Sequence, residues 1–232
     1  MNQDLQLSLI FPCYNEEESL LPTLKEALDF QKSQKFQMEI LLVDDGSNDR
    51  TIEFFKPFEN QVRLIRHESN KGYGAAIKTG LFYSQGQHIA FLDFDGTCDA
   101  ADCSHLLSHL KVTDSDLVLG NRLHDQSEMP KTRRIGNHLY RHLLRLLADR
   151  EVVPDDICSG FRVLKRSCAE ELFMNLPDDL SFTPAMTAMA LKRGFKVSEI
   201  PITYRERFGS SKISLLKDGP KFAYSIFKGH FS

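Results

Sequence analysis

Four short apolar runs in the first half of the chain are each followed by a polar loop and, in most cases, a helical pattern. The runs extend from Leu5 to Phe11, Met38 to Val43, Val62 to Arg66 and His88 to Leu92. Apolar runs of this length are typical of buried strands, and strands that alternate with helices pair in parallel through crossover connections. The sequence therefore predicts an α/β fold with a mostly parallel sheet flanked by helices.

The clearest helical pattern follows the first run. Leu20, Leu24 and Leu28 are spaced to share one helical face. Asn15 and Glu18 have the three-residue spacing of a capping box, so we expect them to cap this helix.

The second half of the chain is less regular, and it contains neither a low-complexity linker nor an internal repeat. We therefore expect a single domain over residues 1–232. The predicted elements are strands at Asp116 to Leu119, Ile157 to Leu164 and Val197 to Tyr204, a helix with a basic face at Ile135 to Ala148, and an amphipathic helix at 213–232.

Composition excludes several classes of protein. The longest apolar runs fall far short of the roughly 18 residues that would span a bilayer, and the N-terminus lacks the basic and apolar regions of a signal peptide. The five cysteines are odd in number and contain no Cys-x-x-Cys pair, so neither a disulfide framework nor a zinc site is indicated. We expect a cytoplasmic protein.

Charge is distributed unevenly along the chain. Residues 1–121 carry 10 basic and 19 acidic side chains, whereas residues 122–150 carry 7 and 3 and residues 192–232 carry 9 and 3. An acidic first half is suited to metal handling, and the two basic segments are suited to an anion or a membrane surface. The alternative is that these segments are simply solvated faces.

Polar residues follow three of the predicted strands, at the point where each strand ends. They are Pro12-Cys13-Tyr14-Asn15-Glu16, Asp44-Asp45-Gly46-Ser47 and Asp93-Phe94-Asp95. Parallel sheets bind ligands at the carboxyl ends of their strands, so one pocket is expected to collect all three loops.

Asp93 and Asp95 are the strongest candidates for metal ligands. Two buried carboxylates in one strand end need a cation, and hard cations such as Mg²⁺ or Mn²⁺ take the remaining oxygens from water and substrate phosphates. The alternative is a solvated turn.

Asp44 or Asp45 could accept hydrogen bonds from a base or ribose, although a helix cap would also explain them. Lys71 and Gly72, at the start of a predicted helix, offer a cation and backbone donors to an anion.

Together these motifs resemble the family 2 glycosyltransferases of the GT-A fold, in particular the polyprenyl-phosphate sugar transferases such as the dolichol-phosphate mannose and glucose synthases. The resemblance covers nearly the whole chain and rests on segments 10–17, 43–51, 70–76, 92–96, 120–122, 156–162 and 199–204, followed by the loop at 207–212.

The resemblance implies a Rossmann-like nucleotide-sugar transferase with a nucleotide-sugar half at 1–121, an acceptor half at 122–212 and a C-terminal amphipathic helix at 213–232. The residues that it implies for the nucleotide sugar are Pro12, Tyr14, Glu16 and Asp44 or Asp45, with Asp93 and Asp95 holding the metal that bridges the diphosphate. It implies that Arg122, with Arg133 or Arg134, meets the acceptor phosphate, and that a loop with Arg207 and Lys212 closes over the site.

Two departures from the family pattern matter. Phe94 separates the two aspartates and Gly96-Thr97 follows them, so a third protein ligand for the metal is not expected. Ser181 to Met186 stands where some relatives have an acidic residue in a helix, which leaves the donor sugar and its base open.

The mechanism implied is a single displacement with inversion, for which we take Asp95, Asp156 and Arg122 as catalytic. A lipid phosphate is already largely ionised at neutral pH and needs little help from a base. Asp156 could act as base or as orienter, or it could simply form a salt bridge with Arg162 or another arginine.

The predicted partners are a UDP- or GDP-sugar and a polyprenyl phosphate, with Mg²⁺ or Mn²⁺ as cofactor and no nucleic acid. Peripheral contact with the cytoplasmic face of a membrane, a second copy of the chain and a membrane-anchor subunit are further partners that the pattern allows. Two alternatives remain open, namely a family 2 transferase acting on a soluble glycan and a non-catalytic nucleotide-sugar-binding subunit.

Overall fold

The structure is a computed structural model that describes residues 5–124, 127, 129–148, 153–208 and 215–231. Within these ranges seven strands form one sheet in the order β3-β2-β1-β4-β6-β5-β7. The strands are β1 (Leu5–Cys13), β2 (Gln37–Asp44), β3 (Arg63–Arg66), β4 (His88–Phe91), β5 (Leu117–Asn121), β6 (Arg162–Lys165) and β7 (Val197–Pro201). β6 runs antiparallel to both of its neighbours, and the other pairings are parallel, which confirms the predicted mostly parallel sheet.

Helices cover both faces of the sheet. They are α1 (Leu20–Ser33), α2 (Thr51–Phe55), α3 (Tyr73–Tyr83), α4 (Asp102–Thr113), α5 (Lys131–Ala148), α6 (Arg166–Leu172), α7 (Phe182–Lys192) and α8 (Leu215–Phe231). Among the described helices, none is long and apolar enough to cross a membrane.

The alternation of side chains along the strands divides the core into two layers. Leu9 and Phe11 pack on one face of the sheet with residues of α1 and α4, whereas Ile10 and Leu41 pack on the other face with residues of α3, α6 and α7. A third cluster joins α5, α7 and α8 beside this sandwich. Burial on both faces explains why the central strands β1, β4 and β5 are largely apolar.

Several local expectations were wrong. Asn15 does not cap α1: it has a φ of 50° and its side chain accepts a hydrogen bond from the backbone of Asn48 at 2.8 Å. The strand predicted from Ile157 begins only at Arg162, because residues 157–161 form an irregular turn. α4 was not predicted at all, since Asp102 to Thr113 mixes polar and small residues with only a short row of leucines.

The reversed strand β6 decides what reaches the edge of the sheet. Phe91 at the end of β4 pairs with Arg162 at the beginning of β6, and Leu119 near the end of β5 pairs with the same residue. Because β6 starts where its neighbours finish, the segment that precedes it lies beside the loops that follow β4 and β5. Residues 156–161 are therefore part of the site and not of the sheet.

Candidate active site

Two adjoining cavities lie at the carboxyl edge of the sheet. The first has a volume of about 370 Å³ and the second about 100 Å³. Both are lined by Tyr73, Asp93, Asp95, Leu180 and Arg207, which form a wall between them. We call the larger one the donor cleft and the smaller one the acceptor cavity, after the two substrates predicted from the sequence.

The donor cleft brings together the loops after β1, β2 and β4. Apart from the shared wall, five predicted residues line it, namely Pro12, Tyr14, Glu16 and Asp45 for the nucleotide and Gly72 for an anion, and so do Asn70, Ala76 and Asp179. The expectation that one pocket collects the three loops therefore agrees with the geometry.

Asp44 and Asp45 have different surroundings. Asp44 is fully buried, where it accepts a hydrogen bond from the backbone of Ser47 at 3.1 Å and pairs with Arg66 at 3.0 Å. Asp45 faces the cleft. Of the two candidates, Asp45 is therefore the one that lines the cleft.

The backbone of Lys71 and Gly72, which was predicted to bind an anion, binds the carboxylate of Asp45. Oδ1 and Oδ2 of Asp45 accept hydrogen bonds from the backbone N–H groups of Lys71 and Gly72, each at 2.8 Å. His67 Nδ1 lies 2.7 Å from the same carboxylate. Because these two amides bind Asp45, they hold that side chain in place and are not presented to a substrate. The side chain of Lys71 is exposed.

Asp93 lies between the two cavities. The hydroxyl of Tyr73 donates a hydrogen bond to Asp93 Oδ1 at 2.8 Å, and burial keeps the pKa of Tyr73 well above its usual value. Burial and then the neighbouring Asp95 raise the pKa of Asp93. The carboxylate also packs directly on Gly160, since a Cβ at that position would lie 2.3 Å from Oδ2.

Asp95 is engaged on both of its oxygens. Thr97 donates to Oδ1 from its backbone N–H at 3.0 Å and from its hydroxyl at 2.6 Å. Oδ2 pairs with the guanidinium of Arg207, while the backbone N–H of Phe208 donates to the carbonyl of Asp95 at 3.0 Å. The described part of the predicted closing loop is thus bound to the site, whereas Lys212 lies outside the described residues.

The two aspartates suit a hard divalent cation. Asp93 is a half-buried carboxylate whose charged form is disfavoured by desolvation and by Asp95, a conflict that a cation would relieve. Among the described residues no group of three or more His, Cys, Asp or Glu side chains could hold a metal. A two-carboxylate set fits Mg²⁺ or Mn²⁺, which retain water and phosphate oxygens.

The acceptor cavity combines cationic and apolar walls. Arg122 and Arg133 line it, and Met129, Tyr140, Leu180 and Phe222 supply apolar surface. The Arg122 guanidinium lies 5.6 Å from the centre of the Tyr204 ring, and Arg133 donates a hydrogen bond to the hydroxyl of that tyrosine at 3.2 Å.

Arg122 is held by Asp156 through a bidentate pair. Nε donates to Asp156 Oδ2 at 2.7 Å and Nη2 to Oδ1 at 2.9 Å, and the backbone N–H of Arg122 adds a bond at 3.0 Å. Asn137 donates to Asp156 Oδ1 at 2.6 Å. Burial alone would raise the pKa of Asp156, but Arg122 outweighs it and leaves that pKa lowered.

Arg133 and Arg134 point to different surroundings. Arg134 donates to the backbone carbonyls of Leu123, His124 and Ser127 at 2.9 to 3.1 Å, so it secures the chain that follows Arg122. Arg133 lines the acceptor cavity. Of these two candidates, Arg133 is therefore the one that lines the cavity.

Sequence reasoning missed Tyr73, Asn137, Gly160 and Tyr204. Tyr73 lies in segment 70–76, which contributes to the family resemblance, but the sequence does not distinguish it from an ordinary helix residue. Its role is indicated only by the hydrogen bond from its hydroxyl to Asp93. Asn137 follows Arg133 by one helical turn, and this spacing could have suggested a shared face.

The fold is that of GT-A glycosyltransferases. Glucosyl-3-phosphoglycerate synthase from Mycobacterium tuberculosis, solved in complex with Mn²⁺, uridine-diphosphate-glucose and phosphoglyceric acid, superposes with a TM-score of 0.76. The alignment covers 98% of this chain and 80% of that one at 15% sequence identity, so it speaks for the fold alone.

The family follows from the sequence comparisons. The profile described as Glycosyl transferase family 2 matches residues 8–173. Dolichyl-phosphate beta-glucosyltransferase ALG5A from Trichomonas vaginalis is 32% identical over 223 residues, which cover 90% of this chain and 68% of that protein. The dolichyl-phosphate beta-glucosyltransferase of Saccharomyces cerevisiae is 29% identical over 250 residues, covering 97% and 74% respectively. The chain belongs to glycosyltransferase family 2 and is a glycosyltransferase, as its motifs predicted.

Proposed function

We propose that this enzyme transfers a hexose, glucose in the first instance, from a nucleotide-diphosphate sugar to the phosphate of a polyprenyl phosphate. The relatives named above carry this acceptor class and this sugar in their names. We propose further that one domain over residues 1–232 contains both substrate sites.

The acceptor cavity is the observation that carries this proposal. Its volume of about 100 Å³ is well below the roughly 300–1,000 Å³ of pockets that enclose a whole small molecule. Two arginines beside apolar side chains suit a phosphate joined to a hydrocarbon chain. A neutral glycan would not need either guanidinium, which favours the lipid phosphate over a soluble glycan.

The donor cleft is suited to the nucleotide sugar. Asp45, Tyr14 and Pro12 would contact the nucleoside, while Asp93 and Asp95 would hold Mg²⁺ or Mn²⁺ at the diphosphate. When bound, the metal would neutralise charge on the departing diphosphate. Arg207, which lines the same cleft, would add a positive charge next to the departing diphosphate.

The reaction would be a single displacement. An oxygen of the acceptor phosphate attacks the anomeric carbon, the bond from that carbon to the diphosphate oxygen breaks, and the nucleoside diphosphate leaves with the electron pair. A phosphate monoester carries about −1.5 to −2 charges at neutral pH, so no proton has to be removed first. Inversion at the anomeric carbon follows from the one step.

Asp156 would act in this reaction as a positioning residue. Both of its oxygens are occupied by Arg122 and Asn137, and its lowered pKa makes it a poor base. By fixing the guanidinium of Arg122 it would hold the acceptor phosphate in line with the anomeric carbon. The salt bridge allowed by the sequence is formed with Arg122, and of the two catalytic roles, base and orienter, this geometry supports orienter.

The outer faces of α5 and α8 suit a membrane surface. Ile135, Leu139 and Leu146 of α5 are exposed by 68%, 65% and 70%, and they lie on one side of the helix. On α8, Tyr224 and Phe231 are exposed by 66% and 64%. Apolar side chains among lysines and arginines are typical of helices that lie in the lipid interface. Because Tyr140 and Phe222 of these helices line the acceptor cavity, such contact would bring the cavity to its lipid substrate.

A transfer assay tests the proposal directly. Purified protein is incubated with Mg²⁺ or Mn²⁺, a panel of UDP- and GDP-sugars and a short polyprenyl phosphate in detergent, and the lipid is examined by mass spectrometry. We expect a glucosyl-phosphate-lipid from one donor. Transfer only to a soluble glycan, or metal-dependent donor binding without any transfer, would overturn the proposed acceptor.

A matched pair of variants locates the acceptor phosphate. Arg133→Ala should raise the KM for polyprenyl phosphate by about tenfold or more, because a charge-assisted contact contributes on the order of 1.5–3 kcal/mol. Arg145→Ala removes the same charge from an exposed position on α5 and should leave that KM unchanged in detergent. Equal KM values for the two variants would remove Arg133 from the acceptor site.

A further inference from the structure

Tyr73 stands where the two cavities meet, and nothing in the motif reasoning gave it a role. Its ring lines both the donor cleft and the acceptor cavity, and its hydroxyl donates to Asp93 Oδ1 at 2.8 Å. The hydroxyl is thus directed at a candidate metal ligand.

The backbone that carries Tyr73 is fixed from two sides. The N–H groups of Lys71 and Gly72 bind Asp45, which ties the start of α3 to the end of β2. On the other side the backbone N–H of Ala75 donates to the carbonyl of Asp178 at 3.1 Å. Tyr73 therefore extends from a helix start that has little freedom to shift.

Glycines make this attachment close. Gly72 has a φ of 107°, and a Cβ there would lie 2.4 Å from the carbonyl oxygen of Asp178. A Cβ on Gly74 would lie 2.2 Å from the carbonyl oxygen of Pro177. Neither position has room for a side chain, so α3 packs backbone to backbone against the 177–178 segment.

The Asp93 carboxylate is confined as well. Gly160 packs against one side of it, and Tyr73 holds Oδ1. A carboxylate held by a hydrogen bond on one oxygen is restricted in rotation, so that the other oxygen keeps a defined direction.

We propose that Tyr73 is a positioning residue for the metal site: its hydroxyl fixes the Asp93 carboxylate so that Oδ2 is presented to the divalent cation. This inference rests on the metal role given to Asp93 and Asp95 in the proposed function. It goes beyond that role because it makes the start of α3 part of the metal site and connects it, through Asp45, to the nucleoside side of the donor cleft.

The test uses Tyr73→Phe, which removes only the hydroxyl, with Tyr83→Phe on the same helix as its control. Tyr83 lies at the far end of α3, where its ring rests against Arg63 at the surface. Mn²⁺ affinity is measured without donor or acceptor, by calorimetry or by the electron paramagnetic resonance of the free ion. Outer-sphere partners of metal ligands typically affect affinity by 10–100-fold, so we expect Tyr73→Phe to weaken Mn²⁺ binding by about tenfold and Tyr83→Phe to leave it unchanged.

A kinetic measurement separates positioning from contact with substrate. If Tyr73 acts through the metal, the Mn²⁺ concentration for half-maximal transfer should rise in Tyr73→Phe, and kcat at saturating Mn²⁺ should return close to that of the unaltered enzyme. A lowered kcat with normal Mn²⁺ affinity would overturn the inference and would mean that the phenol touches a substrate.

The outcomes also distinguish this inference from the proposed function. Normal Mn²⁺ binding by Tyr73→Phe in an enzyme that makes the glycolipid would refute the role of Tyr73 alone. Absence of glycolipid with weakened Mn²⁺ binding would support Tyr73 while refuting the acceptor. If the unaltered protein bound no Mn²⁺, or if Asp93→Ala bound it normally, the inference about Tyr73 would fall.

Discussion

Replacing Gly160 with alanine should damage the site through one steric contact. The backbone φ of Gly160 lies outside the positive range, so alanine introduces no backbone strain of that kind. Its Cβ would lie 2.3 Å from Oδ2 and 2.4 Å from Oδ1 of Asp93, whereas ordinary contacts begin at 3.4 Å. The carboxylate would therefore have to move by about 1 Å, a displacement that can reduce catalysis by about 100-fold.

The measurement for Gly160→Ala is kcat/KM for sugar transfer at saturating Mn²⁺, together with the thermal midpoint of unfolding. A 100-fold loss corresponds to about 2.7 kcal/mol in the activation free energy. Gly229→Ala is the matched control, since its Cβ would meet the carbonyl oxygen of Ala185 at 2.7 Å between α7 and α8, away from Asp93. We expect it to lower the midpoint while the folded enzyme keeps its activity. Gly160→Ala activity within threefold of the unaltered enzyme would refute the steric argument.

Three further predictions follow from the described contacts. Asp156→Asn leaves the guanidinium of Arg122 buried without its charged partner and should reduce the free energy of unfolding in urea by about 3 kcal/mol. Asp155→Asn removes a half-exposed pair with Arg141 and should reduce it by less than about 1 kcal/mol. Equal losses in the two variants would contradict the buried pair. Burial lowers the pKa of His88 in the folded protein, so protonation of this residue favours the unfolded chain. The stability contributed by neutral His88 should therefore be present above about pH 6.5 and be lost as the pH falls toward the lowered pKa of the folded state. Urea midpoints at pH 7.5 and 5 should therefore differ less in His88→Gln than in the unaltered protein, and an unchanged difference would count against it. Arg207→Ala removes the cation paired with Asp95 and should tighten Mn²⁺ binding in the absence of donor while slowing transfer; weaker Mn²⁺ binding would contradict competition between the two cations.

The sequence predicts the first half of the fold well because its signal is local. In β1, β2 and β4 an apolar run ends in a polar loop, and this pattern alone sets both the parallel sheet and the edge that bears Asp45, Asp93 and Asp95. Arg122, which the family resemblance implied for the acceptor phosphate, lines the acceptor cavity. Residues whose role is set by the chain near them are visible in the sequence.

The features that the sequence does not predict arise from contacts between distant segments. Tyr73 and Asp93 are 20 positions apart, and Gly160 meets Asp93 only because β6 reverses direction. Arg134 rather than Arg133 donates to the backbone carbonyls of Leu123 and His124. Sequence periodicity does not predict which of two neighbouring arginines forms such bonds. Hydrophobic patterning fixes which face is buried, but not which polar atom meets which.

The shared wall between the two cavities has a thermodynamic consequence. Since Tyr73, Asp93, Asp95, Leu180 and Arg207 line both cavities, a ligand that orders them for one cavity also prepares them for the other. Linkage requires the effect to be reciprocal: whatever factor the donor contributes to acceptor affinity, the acceptor must return to donor affinity. Cooperative binding of two chemically unlike substrates would then be a property of five side chains in one partition, with no change of domain arrangement needed to produce it.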